Sequence, residues 1–406
     1  MYCGSPQQRT WIMLSTQPLP GGASGAQPSD RPPQQEIAER LLDWQQGRPR
    51  GPYTLELYPT LRCNLDCAFC DTTYRKKRAA DELSRERYLA LADEAAALEV
   101  RRCYILGGGE PMVAREITPE LMARLKSHGI YGILGSNGTL FSDPVIEQVV
   151  EMGWDELHLS LDGATAEVND VLRGQRGVYQ RVTEVTRRFN LVRERRGVRL
   201  PRMLFHTVVT RLNYMQLEAM VELAAALGCF RVNFDALIPY RPEQHALAMR
   251  PEERAALPGL AEQALKRAER LGLETSLEQF LSVRALERGR MQFETPSTRQ
   301  LYASPCLNPW HHVVVHHNGY VSPCCVIPSE PHADEVKTRS LREVWFEGAY
   351  FQGLRRSFQD KLLTRHCPNC SMSIIGQNDD IRARMERLNP PMVETSPPVQ
   401  AHFGEI

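Results

Sequence analysis

From residue 53 the chain alternates between two hydrophobic rhythms. In some short runs every second residue is apolar, the period of a strand with one buried face. In longer runs apolar residues recur every three or four positions, the period of a helix lying on a core. Within 53–59, Leu55 and Leu57 alternate with Thr54 and Glu56. Strand-like runs follow at 102–106, 131–135, 156–161, 203–209 and 231–237. Helix-like runs lie between them at 84–98, 118–128, 143–152, 178–195 and 214–227, with Ser84 suited to an N-cap and Gly228 to a stop. Strands alternating with helices predict βαβ units on a parallel sheet. The predicted fold class is α/β, a partial (β/α)6 TIM-like barrel with a small Cys-rich C-terminal domain. In such a barrel the loops at the C-terminal ends of the strands build the active site.

The flanks read differently. Residues 1–35 hold several prolines and glycines and few large apolar groups, which predicts a disordered arm. Residues 36–46 form a short helical pattern, with Ile37, Leu41, Leu42 and Trp44 on one side, ending before Gly47 and Pro49. Residues 251–290 read as helical, 299–372 as irregular, and the tail with Pro390, Pro391, Pro397 and Pro398 as mobile. The expected organisation is 1–50 arm and short helix, 51–290 barrel, 291–388 Cys-rich domain and 389–406 flexible tail.

Composition narrows the function classes. Of 406 residues 42% are hydrophobic, which permits a sizeable core. Lys plus Arg and Asp plus Glu both number 49, and a zero net charge argues against a surface that coats nucleic acid. No apolar run approaches the ~20 residues that span a bilayer, and the first thirty residues lack the pattern of a secretory signal. The expectation is a cytoplasmic protein without a nucleic-acid or membrane partner.

Eleven cysteines change the picture, because in such a chain they read as metal ligands before disulfides. Cys63, Cys67 and Cys70 stand within eight residues, directly after the first strand. Three thiolates can hold three irons of a [4Fe–4S] cube and leave the fourth iron open to a small molecule. Zinc prefers four ligands in paired knuckles and is the alternative. A second group comprises Cys306, Cys324, Cys325, Cys367 and Cys370. Four thiolates would ligate a cube completely; a Cys₄ zinc is again the alternative. Cys324 and Cys325 compete for one place, since neighbours on a strand point oppositely. Cys3, Cys103 and Cys229 stand alone and read as inert. His311, His312, His316 and His317 read either as metal ligands or as polar faces of a hairpin around Asn318-Gly319.

The spacing from Cys63 to Cys70, with Phe69 before the third cysteine, resembles the signature of the radical S-adenosylmethionine (SAM) superfamily. Gly107-Gly108-Gly109-Glu110-Pro111 after the second strand is similar to its glycine-rich motif, and the resemblance covers about residues 51–375. It implies a SAM whose amino and carboxylate groups chelate the open iron. Gly108, Gly109 and Glu110 would accept from the amino group through backbone carbonyls and a carboxylate, as an ammonium requires. Ser136, Asn137, Ser160 and Asp162 would meet the ribose and carboxylate, Arg173 would pair with the carboxylate, and the main chain near Leu237 would meet adenine. On residue type alone Ser136, Asn137, Ser160 and Asp162 equally suit caps and turns, and Arg173 a solvated surface. The later cysteines resemble the SPASM/twitch extension of these enzymes. Only five are present, so one auxiliary [4Fe–4S] cluster is implied, held by Cys306, Cys324, Cys367 and Cys370.

By resemblance, an electron from a flavodoxin- or ferredoxin-like donor cleaves SAM to methionine and a 5′-deoxyadenosyl radical, which abstracts a substrate hydrogen. The leading expectation is oxidation of a small sugar- or aminocyclitol-like natural-product intermediate, the auxiliary cluster taking the second electron. One alternative is a peptide maturase that forms a crosslink, although those often carry a peptide-recognition domain of ~80 residues before the barrel. Another is an epimerase in which Cys325 returns a hydrogen atom. A non-enzymatic iron–sulfur or zinc scaffold or sensor is the remaining reading.

Overall fold

The structure is a computed structural model that describes residues 32–70, 81–239, 241–281 and 306–389, apart from 361, 363, 368, 369 and 371. Seven strands follow one another in a parallel ladder: β1 (Thr54–Leu57), β2 (Arg102–Ile105), β3 (Tyr131–Ser136), β4 (Glu156–Ser160), β5 (Arg202–Val209), β6 (Arg231–Ala236) and the short β7 (Glu274–Thr275). On the far side of β1 lies β8 (His312–Val315), also parallel to it, and β9 (Val321–Ser322) returns antiparallel. The order is therefore β7-β6-β5-β4-β3-β2-β1-β8-β9, a sheet curled into a barrel that does not close.

Register explains the layers. Leu57, Ile105, Leu134, Leu157 and Met203 share one level and one face, all fully buried. Against that face pack α2 (Arg85–Ala97), α3 (Thr118–Ser127), α4 (Asp143–Glu151), α6 (Val178–Arg196), α7 (Leu217–Ala226) and α8 (Pro251–Leu271), while the short α5 (Ala166–Arg173) lies beside α6. One residue away in each strand the alternation turns Glu56, Tyr104, Ile133, Glu156 and Arg202 inward. The lumen is polar. Tyr58 donates to Glu56 at 2.6 Å, Tyr131 donates to Glu156 at 2.6 Å, and His158 and His312 pair with Glu156 and Glu56. His158, Tyr131 and Arg202 hold the Glu156 carboxyl down to about 2 against its burial.

A preceding helix, α1 (Pro33–Gln45), packs Ile37, Ala38 and Leu41 against Ile381 of the last helix, α11 (Met372–Leu388). Arg40 pins α1 to the chain entering the barrel by donating to the carbonyls of Gly51 and Glu99. Between β9 and α11 lie α9 (Leu341–Glu347), with a Ser340/Glu343 capping box, and α10 (Ala349–Gln359). Trp345 of α9 donates to the Arg50 carbonyl, so this part docks on the barrel.

Several expectations need correction. The helical reading of 251–290 holds only to Leu271; Gly272 takes φ 65°, a left-handed stop that favours glycine, and β7 with a 3-10 turn (Leu277–Phe280) follows. Residues 282–290 lie outside the described residues, as do the arm to residue 31 and the tail from 390. The segment 299–372 is not irregular throughout, because β8, β9, α9 and α10 fall within it. His311 is on no polar face. It is fully buried with no partner for either ring nitrogen among the described residues, and burial draws its pKa down to about 3. Cys103 and Cys229 are buried in the core, and burial pushes the Cys229 thiol up to about 12, in keeping with inert cysteines. Cys3 lies outside the described residues.

Trp154 fills the space that Gly132 leaves on β3, where any Cβ would collide with the indole, and its Nε1 donates to the Glu156 carbonyl. Trp154→Ala should therefore cost about 3–5 kcal/mol, read as a lower midpoint in anaerobic denaturant unfolding; a loss under about 1 kcal/mol would show that the site collapses freely.

Candidate active site

β1 delivers the chain into the loop that carries Cys63, Cys67 and Cys70. The loop has almost no regular structure and is held by its surroundings. Ala68 N–H donates to the Leu172 carbonyl at the end of α5, and Cys70 N–H donates to Cys67. Gly174, with φ 68°, caps α5, and a Cβ there would collide with the Asp66 carbonyl. Donors converge on the sulfurs. Leu65 N–H lies 3.5 Å from Cys63 Sγ, Asn137 Nδ2 lies 4.0 Å from it, and Arg173 Nη1 lies 3.7 Å from Cys67 Sγ. Burial pushes the Cys67 thiol up, and the Arg173 charge draws it back. A thiolate-bound, negatively charged cluster suits this cationic, donor-rich surrounding.

Arg173 is buried. It pairs with Asp162 and lies over the Phe69 ring at 5.4 Å. Asp162, at the end of β4, also accepts from Val208 N–H at 2.7 Å. Burial pushes Asp162 up while Arg173 and Val208 pull against it; burial draws Arg173 down, but Asp162 and Cys67 leave it raised. The two residues expected to face SAM separately are thus joined to each other. Their shared edge borders the cysteine loop.

Glu110 is also buried. Its Oε1 accepts from Met112 N–H at 3.0 Å and Ser136 Oγ at 2.7 Å, and its Oε2 from Asn137 N–H at 2.6 Å. A carboxylate has about four lone-pair sites, so one acceptor direction remains beyond these three. Burial pushes its pKa up against those bonds. Ser136 Oγ also accepts from Gly138 N–H, so its hydroxyl is committed to the loop. Asn137 reaches Asn64, in the cysteine loop, at 2.9 Å. Gly109 is pressed against Arg62, and its N–H donates to the Thr60 carbonyl. The glycine run, the loop after β3 and the cysteine loop therefore form one packed unit. Ser160 ends β4 level with His206 of β5, and Leu237 N–H, just past β6, donates to the Val209 carbonyl.

In the C-terminal part, Cys306, Cys324, Cys367 and Cys370 line a single apolar cavity with Val326, Phe358 and Ile374. Cys325 does not line it. It lies within electrostatic reach of Glu56 and Tyr58 and keeps accessible surface, although burial pushes its thiol well up. Among the described residues no three acidic, histidine or cysteine side chains converge tightly enough to grip a single ion. No helix there is long and apolar enough to cross a membrane.

Residues 57–224 match the radical SAM superfamily, and residues 306–371 match SPASM, an iron–sulfur cluster-binding domain. The chain belongs to the radical SAM superfamily. Among curated relatives of this radical SAM enzyme, the PqqA peptide cyclase of Ruegeria pomeroyi is 28% identical over 323 residues, 78% of this chain and 80% of that protein. The PqqA peptide cyclase of Granulibacter bethesdensis is 32% identical over 215 residues, 50% of this chain and 55% of its own length. The fold resembles Streptococcus suis SuiB bound to S-adenosylmethionine, with TM-score 0.60 and 19% identity over 79% of this chain and 72% of that one. It also resembles anSMEcpe with bound AdoMet, with TM-score 0.57 and 14% identity over 83% and 96%. The radical SAM domain binds a [4Fe–4S] cluster and SAM, and the SPASM domain binds auxiliary iron–sulfur. A purely scaffolding or sensing role does not fit that membership.

The inward pair His206–Asp235 and the seam it lines escaped the sequence reading. A signal was present: Arg231, Asn233 and Asp235 recur at every second position of a strand whose other face is apolar. Gly174→Ala should strain the left-handed cap and drive apart α5 and the cysteine loop. The expected outcome is a folded barrel with reduced iron in the first cluster, measured as iron per chain, and a stability loss of about 1 kcal/mol or more.

Proposed function

We propose that this radical SAM enzyme acts on a peptide and joins or desaturates it by removing two hydrogen atoms. The observation that carries the reading is the extent of the likeness to PqqA peptide cyclases: 323 residues, more than the barrel alone contains and about four fifths of both proteins. The small aminocyclitol-like substrate expected from the five-cysteine domain has less behind it. A cysteine count speaks to the number of clusters, not to the substrate. The lumen adds support. It is lined by hydrogen-bonding groups and opens sideways where the sheet fails to close, which suits a chain-like substrate.

In this reading Cys63, Cys67 and Cys70 hold the cluster that binds SAM, with Phe69 and Arg173 beside it. Gly108, Gly109 and Glu110 receive the SAM amino group. Asn137 and Ser136 steady Glu110 and the cysteine loop, and Ser160, Asp162 and Leu237 border the nucleoside. Cys306, Cys324, Cys367 and Cys370 hold the auxiliary cluster, their shared cavity favouring Cys324 over Cys325. When bound and reduced by a flavodoxin- or ferredoxin-like donor, the first cluster with SAM supplies a 5′-deoxyadenosyl radical. The protein orients the substrate and excludes water. Asp162 and Arg173 act on the same unit, so losing either partner would leave a buried charge, at a cost of about 3–5 kcal/mol.

Anaerobic protein rebuilt with iron and sulfide, given SAM and dithionite, should release 5′-deoxyadenosine. With a short peptide encoded beside its gene it should yield that peptide lighter by two hydrogen atoms, read by mass spectrometry. Consumption of an aminocyclitol with the peptide untouched would overturn the peptide reading. Cys67→Ala should abolish 5′-deoxyadenosine release, whereas Cys370→Ala should retain it and lose the modified peptide; equal loss of both would undo the assignment of separate roles.

A further inference from the structure

Along the open side of the barrel the inward face of β6 borders a cavity of about 620 Å³. Arg231, Asn233 and Asp235 run along it and His206 of β5 joins them. Gln279 closes one wall, and Gln377 of α11 the other. From Arg231 to Asp235 the strand rises roughly 13 Å, about the length of four extended peptide residues. His206 stands level with Ser160 at the end of β4 and with Asn233, two residues before Val208, which donates to Asp162. The cavity thus reaches from the open seam to the edge of the unit that carries the cysteine loop.

Two observations mark it as a place for a ligand. His206 Nε2 stands 2.8 Å from Asp235 Oδ2, and the two side chains remain 39% and 38% exposed. Asn233 Oδ1, in the same wall, is a buried acceptor with no hydrogen-bond partner among the described residues. A pair serving only to tie β5 to β6 gains nothing from that exposure, and a buried carbonyl oxygen without a donor is costly unless a ligand supplies one.

We propose that His206, oriented by Asp235, is the group that accepts a proton from the substrate in this chamber. The identity of that substrate rests on the peptide reading above; the role of the pair does not. Because Nε2 faces a carboxylate, Nε2–H donates to Asp235 and Nδ1 keeps its lone pair, a tautomer assigned from this geometry. In the step, one substrate X–H bond breaks, with X a nitrogen, an oxygen or a carbon beside a radical centre. The electron pair stays on the substrate and the proton bonds to Nδ1. The positive charge now on the ring faces Asp235, and the cavity leads the proton out to water. No oxidant enters this step.

The charges around His206 decide its pH range. Asp235 faces it from β6 and Asp162 from the end of β4; Arg173 of α5 and His158 of β4 oppose them. Arg231, Glu278 and Asp380 border the same cavity. Burial draws the imidazole down, but Asp235 and Asp162 outweigh it, so it titrates above the ordinary histidine value. A base must be neutral to act, so product formation should rise with pH through that raised value. Asp235→Asn removes the strongest lift and should move the limb to lower pH.

The test uses full-length, cluster-loaded enzyme and the peptide that is modified in the preceding experiment. His206→Gln should lower product formed per 5′-deoxyadenosine released by about 10²–10⁴, with peptide binding, read by fluorescence anisotropy, unchanged. Asp235→Asn should shift the acidic limb downward. Product at the wild-type ratio in His206→Gln, or an unmoved limb in Asp235→Asn, overturns the proposal. If no peptide is bound or altered, the substrate reading fails and the pair is judged by ¹⁵N-histidine NMR titration of the oxidised protein. An Nε2–H tautomer whose midpoint falls in Asp235→Asn supports the proposal; an Nδ1–H tautomer or an unmoved midpoint overturns it.

Discussion

A guanidinium and a carboxylate that see almost no water hold the catalytic end of this barrel together. Removing two charges from solvent is costly, and their mutual attraction repays it only when geometry is good and other partners satisfy the remaining atoms. Here those partners are structural. Asp162 takes the Val208 N–H, which ties β4 to β5. Arg173 reaches the Cys67 sulfur and the Phe69 ring, which ties α5 to the cysteine loop. A loop with little regular structure of its own is thereby fixed by a network that is stable only as a whole. Glu110 plays the same part on the other side, satisfying donors of the glycine turn and of the loop after β3.

The incompleteness of the barrel has physical consequences. A closed eight-stranded barrel fills its interior with branched apolar side chains. This lumen instead carries Glu56, Tyr131, Glu156, His158 and His206, each charged or polar group facing a partner. Such a lining is stable because each of these five groups faces a hydrogen-bond or ion-pair partner and because the seam admits water. The sheet edge there is blunted: Ser276 Oγ accepts from Phe234 N–H and donates to the Phe234 carbonyl, so side chains occupy the ladder sites where another strand would pair. That leaves the seam open as an entrance without leaving it sticky.

Much of the βα alternation was legible because strand and helix periods differ so sharply, and all six expected strands are present. The first cysteine set and the glycine run were legible because close spacing is local information. What escaped was non-local or masked by small elements. The eight-residue α5 hides between Gly163 and Gly174, glycines that read as loop. Helix α8 stops at Gly272 where the sequence around it remained helix-compatible. Above all, sequence placed Asp162 and Arg173 in one site but gave no sign that they face each other. Nor could it separate Cys324 from Cys325, which depends on the direction each takes after a two-residue strand.

The adjacency of β1 and β8 links the two cysteine sets. Each strand runs parallel to the other, residue for residue from Thr54↔His312 to Leu57↔Val315. The first leads directly into the loop of Cys63, and the second turns through β9 into Cys324. The Cys-rich part is therefore an extension of the same sheet, not an appendage on a tether. One strand pairing therefore joins the two sites within a single sheet. At the β1 side of that pairing, Glu56 and Tyr58 come within electrostatic reach of the Cys325 thiol, so the chain that leads into the first loop also meets the second cysteine set.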